Sequence, residues 1–507
     1  MRFGGSGPVA VRGGGTAVGP GGAAVGSGGA DALGPAEARR ALLGLGLPVY
    51  CELLSGVVVG VVDTLWVARL GRAAVGAVAA AGTLENLLLG VILMAGTGVT
   101  MVLADVVGAR RTAEIPFVIK AGAVLWLVVT GVVAGGGFVF RGEVAGLLVG
   151  GGAGEVRHLV AEFLGISLPG LAVFFAQNVV DGIFKGLGDT RTPMRSALVA
   201  NGCVLLLDPL LIYGVGVLPA LGVRGAALGT VLGRAVALGV SLVLLWRGRG
   251  GVLGAGPGAE VGAGSGAGAA EAAGVAAGMG LGWVVALRRV LGVGLPASGD
   301  FVLRMGIGAA LLGMVARFGE DPLAAYGIGT KVILFVTMAF YALRQAGGIL
   351  TARARGAGQP ADRVIGVQSG LLAVLVGAGA GLVLALCGRV VMGFFTSADG
   401  VVDAGSVLLW FLLPYLVALA GVVGPGGVFM GGGRARALLG VTAAGACVQL
   451  PLAHWLSSVD GLGVRGVWLS MSLGTGVQWA MTVVMFRRWV RPRGGSAGAG
   501  GARDEVV

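Results

Sequence analysis

The feature that most constrains this chain is a series of twelve long apolar runs separated by short polar segments. The first set lies at residues 42–68, 74–107, 115–140, 159–184, 196–217 and 222–246. The second set lies at residues 290–316, 323–350, 364–388, 405–430, 437–457 and 463–486. Each run reaches the roughly 20 residues that a helix needs to cross about 30 Å of hydrocarbon. The sequence therefore predicts an all-α membrane protein with twelve transmembrane helices.

Composition and charge agree with a bilayer as the main partner. Of 507 residues, 56% are hydrophobic and 12% are charged, against roughly 25% charged residues in soluble domains. The net charge of +12 comes from short arginine clusters between apolar runs, which is how membrane proteins mark cytoplasmic loops. No segment resembles a nucleic-acid-binding motif, so we expect no nucleic acid as partner.

The distribution of basic residues also predicts orientation and domain limits. Most basic residues near the ends of the runs fall on the side of the N-terminus, which predicts a multi-pass protein of the cell membrane with both termini cytoplasmic. Gly- and Ala-rich segments indicate disordered tails and a flexible linker between two six-helix lobes. The predicted divisions are a tail at 1–38, a lobe at 39–246, a linker at 247–285, a lobe at 286–490 and a tail at 491–507.

The two sets of runs are copies of each other. A shift of 248 residues places Leu43–Pro48 on Leu291–Pro296 and Val67–Gly71 on Val315–Gly319. Because each copy contains an even number of spans, both copies enter the membrane from the same side. The sequence therefore predicts two pseudo-symmetric six-helix bundles, as parallel repeats related by an axis along the membrane normal.

A proline stands at the same place in the first helix of each copy. Pro48 and Pro296 each remove a backbone hydrogen bond and favour a bend. A proline that a membrane helix simply tolerates is the alternative. The repetition favours a hinge at both positions.

Cysteine and histidine usage argues against metal and redox chemistry. The four cysteines lie in apolar segments, no two have the CxxC spacing, and the two histidines are far apart. These residues indicate core packing, not a disulfide, a metal site or a histidine-based catalytic group. We therefore expect no enzyme activity, no metal and no cofactor.

Two aspartates inside the apolar runs are the candidate ion-coupling residues. An ionisable group within a span costs about 2.5–3.5 kcal/mol at its centre, so Asp63 and Asp208 require a reason. A carboxyl group in a low-dielectric cavity takes up and releases a proton more readily near neutral pH than it does in water. Pairing with an arginine such as Arg234 is the structural alternative. In the second copy, Asp63 aligns with Leu311, and the counterpart of Asp208 falls within the acid-free segment 449–453.

A second pair of acids is shared by both copies. Glu52 aligns with Asp300, one turn after the repeated proline. Asp300 can pair with Arg304 at the i+4 position on one helix face, which favours a structural or lobe-interface role. Glu52 has no such partner in its own helix, and we therefore place it in the substrate cavity.

Three more polar residues are candidates for the substrate cavity. Glu85 lies in the outer half of the second run, where it can meet a cationic compound. Gln177 and Asn178 lie in the fourth run and can line the cavity of the first lobe. A hydrogen bond that packs helices together is the alternative for both amides.

Four segments stand in a characteristic order along the chain: Val62–Gly71, Gly186–Met194, Leu207–Gly214 and Gly225–Thr230. They resemble motifs of the multidrug and toxic-compound extrusion (MATE) family, in its first helix, its loop between helices four and five, and its fifth and sixth helices. The resemblance implies two lobes that form a V and alternate between inward- and outward-facing states. It also implies export of organic, often cationic compounds in exchange for protons or sodium.

The resemblance extends the set of ion-coupling residues. By motif position the aspartate cluster of the family corresponds to Asp63, Asp208 and Thr230, and Asn201 keeps an asparagine that is common in the fifth helix. Two positions depart from the family pattern: Val204 replaces a frequent asparagine, and Arg234 follows Thr230 by one turn. These departures leave the identity of the coupling ion and the roles of Arg234, Arg304 and Arg344 open.

Two other functions fit parts of the sequence. A lipid-linked oligosaccharide flippase can share the two-lobed architecture, but it would favour a strongly basic cavity, whereas acids outnumber bases within the first set of runs. A membrane-embedded transferase would need a catalytic motif, such as paired Asp-rich loops, that the loops here lack. The sequence favours a monomeric secondary transporter of a small organic substrate.

Overall fold

The computed structural model describes residues 33–149, 154–214, 219–247, 268–359, 361–459 and 461–490. The predicted tail at 491–507 and most of the tail at 1–38 lie outside the described residues. So do residues 248–267 of the predicted linker. The helix that contains the seventh span begins at Gly268, so helical backbone starts before the predicted lobe boundary at residue 286. The first helix begins at Pro35, inside the predicted N-terminal tail.

The described part of the chain contains 12 helices that are long and apolar enough to cross a membrane. This confirms the predicted number, and each predicted run overlaps one helix. We call these helices spans 1–12, with spans 1–6 forming the first lobe and spans 7–12 the second. Their bounds are Pro35–Ala68, Arg72–Gly108, Thr112–Val139, Gly154–Gly186, Arg191–Tyr213, Val223–Arg247, Gly282–Phe318, Glu320–Gly356, Asp362–Leu386, Asp399–Gly431, Ala435–Ser458 and Val464–Val490.

Two short helices were not predicted. Arg141–Val149 follows span 3 and Gly388–Phe395 follows span 9, at corresponding places in the two lobes. Both are too short to cross a bilayer, so a search for runs of about 20 apolar residues cannot detect them. Leu147 and Phe394 are largely exposed on these helices, as expected of apolar side chains that face lipid.

The turns between spans repeat in both lobes. Gly71 precedes span 2 with a φ of 106°, and Gly319 precedes span 8 with a φ of 107°. A side chain rarely adopts this backbone conformation, whereas glycine does so at low cost. The glycine that ends Val67–Gly71 and its copy in Val315–Gly319 therefore allow the same sharp reversal in each lobe.

Contacts between the lobes follow the repeat. Close packing joins Gly46 to Ala342 and Gly294 to Met94. By the repeat shift of 248 residues, Gly46 is equivalent to Gly294 and Met94 is equivalent to Ala342, so each pair is the copy of the other with the lobes exchanged. Exchange of partners in this way is the property of a twofold axis, here passing between the lobes. Because both pairs lie on the same side of the membrane, the axis runs along the membrane normal, as predicted for parallel repeats.

The lobes meet on the side of the membrane where span 1 begins. Cross-lobe hydrogen bonds join Arg39 to Gln368 at 2.6 Å and Ser298 to the Gly90 carbonyl at 2.6 Å. The close cross-lobe contacts among the described residues involve the first halves of spans 1 and 7 and the second halves of spans 2 and 8. We call this the closed side. Among the described residues, no hydrogen bond joins the lobes on the opposite side, and we call the space between the lobes there the cleft.

The two repeated prolines lie within unbroken helices. The first helix continues through Pro48, and the helix of span 7 continues through Pro296. Both prolines are buried close to the contact between the lobes. The hinge role of Pro48 and Pro296 stays a prediction.

Candidate functional site

The two predicted coupling aspartates come together inside the first lobe. Asp63 of span 1 and Asp208 of span 5 face each other within hydrogen-bonding range. Asp208 is buried and Asp63 is half-buried. Asp208 lies two helical turns after Asn201 on the same face of span 5, farther from the closed side. Two carboxyl groups in contact cannot both be charged without strong repulsion, so the pair favours binding of a cation between them.

The pair has oxygens that the protein leaves without hydrogen bonds. Among the described residues, no donor reaches Oδ1 of Asp63 or either carboxylate oxygen of Asp208. Gly229 of span 6 packs directly on Asp208, and a Cβ at this glycine would lie 2.2 Å from Asp208 Oδ1. Buried acceptors without donors are costly unless a proton, an ion or water satisfies them.

Glu85 belongs to the same group. Its carboxyl group interacts electrostatically with Asp63 and lies near Ser167 of span 4. Three acids from spans 1, 2 and 5 therefore share one region of the first lobe. The structure thus places Glu85 beside Asp63 of the predicted coupling pair, whereas the sequence predicted a place for Glu85 in the substrate cavity.

Asn201 and Thr230, which the family resemblance added to the coupling set, lie elsewhere. Asn201 is buried two helical turns before Asp208, and its Nδ2 donates to Ser55 Oγ of span 1 at 2.8 Å. Thr230 is exposed, and within the described residues no hydrogen bond joins it to either aspartate. The neighbouring Gly229 faces Asp208, and one residue of helix rotates Thr230 by about 100° away from that face. The structure does not bring Thr230 to the coupling pair.

Glu52 is part of a separate charged cluster nearer the closed side. Lys185 Nζ of span 4 donates to Glu52 Oε1 at 2.7 Å, and both side chains are nearly buried. Asp181 and Arg234 interact electrostatically with Glu52, and the Arg234 guanidinium lies 4.7 Å from the Phe174 ring centroid. Lys185, a residue of another helix, therefore neutralises Glu52, and the place of Glu52 in the substrate cavity stays a prediction.

The two predicted cavity amides pack helices together. Gln177 Nε2 lies 2.8 Å from Asp181 Oδ1, 3.3 Å from Ser196 Oγ and 3.2 Å from Ser241 Oγ. Asn178 faces span 2, where a Cβ at Gly96 would lie 1.9 Å from Asn178 Oδ1. Gln177 therefore follows the packing alternative. Asn178 has a buried Oδ1 without a donor among the described residues.

The second lobe carries a different constellation. Asp300 pairs with Arg304 at 3.3 Å, as predicted, and also with Arg344 of span 8 at 2.8 Å. Thr442 Oγ1 of span 11 lies 2.5 Å from Asp300 Oδ1. The position equivalent to Asp63 is the buried Leu311. Among the described residues, the carboxyl pair of Asp63 and Asp208 thus has no counterpart at Leu311 in the second lobe.

Sequence reasoning missed Lys185 and Thr442. Lys185 lies in the last turn of span 4, where a basic residue is expected at the aqueous boundary, although it is buried. Its i+4 spacing from Asp181 was the one available signal. No signal in the sequence pointed to Thr442, whose contact with Asp300 joins segments 142 residues apart. Among the described residues, no group of three His, Cys, Asp or Glu side chains could hold a metal ion.

One comparison decides the family. The MatE family model matches residues 48–210 and 296–455, once in each lobe and beginning at each repeated proline. The chain belongs to the MatE family. Two MatE-type relatives are described as probable multidrug resistance proteins NorM. The one from Thermotoga maritima is 24% identical over 441 residues, covering 86% of this chain and 89% of the relative. The one from Bradyrhizobium diazoefficiens is 25% identical over 461 residues, covering 89% and 93%.

Solved structures show that this MatE chain has the fold of known transporters. A MOP superfamily transporter from Pyrococcus furiosus matches with a TM-score of 0.78 at 20% identity, covering 89% of this chain and 96% of that one. The MATE transporter VcmN of Vibrio cholerae matches with a TM-score of 0.77 at 17% identity, covering 90% and 98%. At these identities the likeness concerns the fold alone.

Proposed function

We propose that this MatE protein is a secondary active transporter that exports organic, cationic or amphipathic compounds in exchange for protons or sodium. The observation that carries the proposal is the carboxyl pair of Asp63 and Asp208, whose buried oxygens lack donors among the described residues. Such a pair binds a proton or a sodium ion, and the second lobe has Leu311 where the first has Asp63. An ion that enters down its gradient supplies about 2.3 kcal/mol per charge for each 100 mV.

The arrangement of the lobes supports alternating access. The lobes pack together on the closed side, and the cleft separates them on the other side. The cleft is therefore accessible from one side of the membrane at a time. The multidrug description of the NorM relatives supports an organic substrate. We propose that the substrate occupies the cleft while the ion binds inside the first lobe at Asp63 and Asp208.

The basic residues near the span ends support one orientation in the cell membrane. With both termini in the cytoplasm, the closed side faces the cytoplasm and the cleft opens outward, which is the state from which a substrate is released. We propose that a monomer, which holds both lobes in one chain, is the transporting unit. A lipid-linked oligosaccharide flippase and a membrane-embedded transferase are the alternatives, and the acidic first lobe favours neither.

The test is gradient-driven efflux of a fluorescent organic cation from proteoliposomes. Asp63→Asn should abolish efflux, because asparagine keeps a similar volume but cannot carry the ion. The variant should still insert and fold, since it removes the cost of a charge within the membrane. Asp208→Asn should weaken efflux strongly.

Asp403→Asn is the matched control, because Asp403 is an exposed acid that pairs with Arg389 outside the site. This control should transport at the wild-type rate. Wild-type efflux by Asp63→Asn, measured with both a proton and a sodium gradient, would contradict the proposal.

A further inference from the structure

The membrane-spanning part of the second lobe buries more positive than negative charge in one cluster. Arg304 and Arg344 both bind Asp300, which is 1% exposed. A single carboxylate neutralises only one of the two guanidinium groups. A buried charge without a partner is costly, so the second arginine requires a negative group that the cluster itself does not provide.

Each arginine presents one nitrogen that is not used within the cluster. Arg304 donates through Nε to Asp300 and through Nη2 to Thr442 Oγ1 at 2.9 Å. Arg344 donates through Nη1 to Asp300 Oδ2 and through Nε to Met430 Sδ at 3.2 Å. Within the described residues, Nη1 of Arg304 and Nη2 of Arg344 have no acceptor, and neither nitrogen is fully buried.

The fold itself does not need arginine at these positions. In the first lobe the residue equivalent to Arg304 is Gly56, and the one equivalent to Arg344 is Gly96. Gly96 allows the close approach of Asn178, so the two lobes use the same place for different purposes. A helix packing role common to both lobes therefore does not explain Arg304 and Arg344.

The surroundings of the two arginines suit an amphipathic ligand. The ring centroid of Tyr341 lies 6.0 Å from the Arg344 guanidinium. Tyr341, Tyr415 and Leu303 are half-buried and pack against the apolar core of the second lobe. Aromatic and aliphatic side chains beside free guanidinium donors can hold an apolar body and an anionic group at once.

The cluster lies at the depth where the cleft between the lobes ends. Val302 packs on Gly90 of span 2, where a Cβ would lie 2.5 Å from Val302 Cγ2. Among the described residues of span 7 that pack against a glycine of the first lobe, Val302 lies farthest from the closed side. Arg304 follows Val302 by two residues, so it stands at the level of the cleft floor.

We propose that Arg304 and Arg344 form a subsite for the carboxylate or phosphate group of an amphipathic organic substrate. The subsite rests on the proposed export function and extends its substrate class to molecules that carry an anionic group, including zwitterions. Asp300 and Thr442 hold the two guanidinium groups in place, and the free nitrogens Nη1 and Nη2 bind the anion. The coupling ion remains at Asp63 and Asp208 in the other lobe.

Two dyes that differ in one charge test the subsite. Rhodamine B carries a free carboxylate, which its ethyl ester blocks, while the cationic ring system is the same. Fluorescence anisotropy with the purified full chain in detergent measures the Kd of each dye. The wild-type protein should bind the acid more tightly than the ester. Arg344→Gln and Arg304→Gln should each weaken binding of the acid about ten-fold, as expected for a lost charge-assisted hydrogen bond, and change binding of the ester by less than about two-fold.

Each variant keeps one arginine on Asp300, and thermal unfolding checks that the protein remains folded. Arg344→Lys retains the charge and should keep part of the preference for the acid. Arg389→Gln removes an exposed arginine that pairs with Asp403 in the same lobe, and it should leave both Kd values unchanged.

Three results would overturn the subsite. The wild-type protein could bind the acid no more tightly than the ester, or the arginine variants could weaken both dyes equally, which indicates a structural role. Phosphatidylglycerol added to the detergent could abolish the wild-type preference, which would show that lipid phosphate and not substrate occupies the arginines. Gradient-driven efflux of the ester separates this inference from the proposed function, because its absence in the wild type would contradict the export function alone.

Discussion

At the scale of single residues, the loop between spans 2 and 3 contains a strained position. Arg110 has a φ of 56°, and its equivalent in the second lobe is Gly358 with a φ of 70°. The backbone hydrogen bonds are the same in both loops: Arg111 N donates to the Val106 carbonyl, and Gln359 N to the Ala354 carbonyl. The first lobe therefore uses arginine in a helix-ending turn that favours glycine.

We predict that Arg110→Gly stabilises the protein. The left-handed conformation costs a side chain about 1–2 kcal/mol, and the greater freedom of glycine in the unfolded chain offsets about 0.4–1 kcal/mol of the gain. Thermal unfolding in detergent should show a higher midpoint for the variant. Arg111→Gly is the matched control, because Arg111 has a negative φ and pairs with Asp105 and Glu114. A midpoint lowered by both variants would contradict the prediction.

At the scale of helices, the closed side depends on two glycines at the ends of spans 2 and 8. A Cβ at Gly108 would lie 2.1 Å from the Arg353 carbonyl oxygen, and a Cβ at Gly356 would lie 2.0 Å from the Asp105 carbonyl oxygen. These are equivalent pairs across the twofold axis. Spans 2 and 8 can approach this closely only because neither glycine has a side chain.

We predict that Gly108→Ala and Gly356→Ala each open the closed side. The added methyl group meets backbone that cannot move locally, and overpacking of this kind typically costs about 1–3 kcal/mol. A cysteine introduced at Ala346, which is buried between the lobes, should react faster with a maleimide in both variants. Gly44→Ala is the control, because a Cβ there meets no atom within 4 Å. Equal labelling rates in all three would contradict the prediction.

At the scale of the whole molecule, the membrane orientation rests on the distribution of basic residues. We predict that a maleimide added outside intact cells does not label Ser265→Cys in a chain whose native cysteines have been replaced. Residue 265 lies between the lobes in sequence, on the side that we propose to be cytoplasmic. Ser397→Cys, an exposed position between spans 9 and 10, should be labelled under the same conditions. The reverse pattern would show the opposite orientation.

The sequence by itself determined the twelve spans, the repeat and its axis. These properties depend on local hydrophobicity and on the order of motifs, which any helical packing must respect. The equivalence of Pro48 and Pro296 and the pairing of Asp300 with Arg304 were likewise predictable, because an i+4 pair needs only one helix. The short helices escaped prediction because their length lies far below that of a span.

Only the tertiary structure decided which polar residues meet across helices. The contact of Asp63 with Asp208 was predicted, but the pairing of Glu52 with Lys185 was not, because it joins residues 133 positions apart. The exposure of Thr230 and the binding of Arg344 to Asp300 likewise depend on how each helix is rotated within its lobe. Sequence spacing places residues on one helix face, whereas packing of whole helices selects the partner that this face meets.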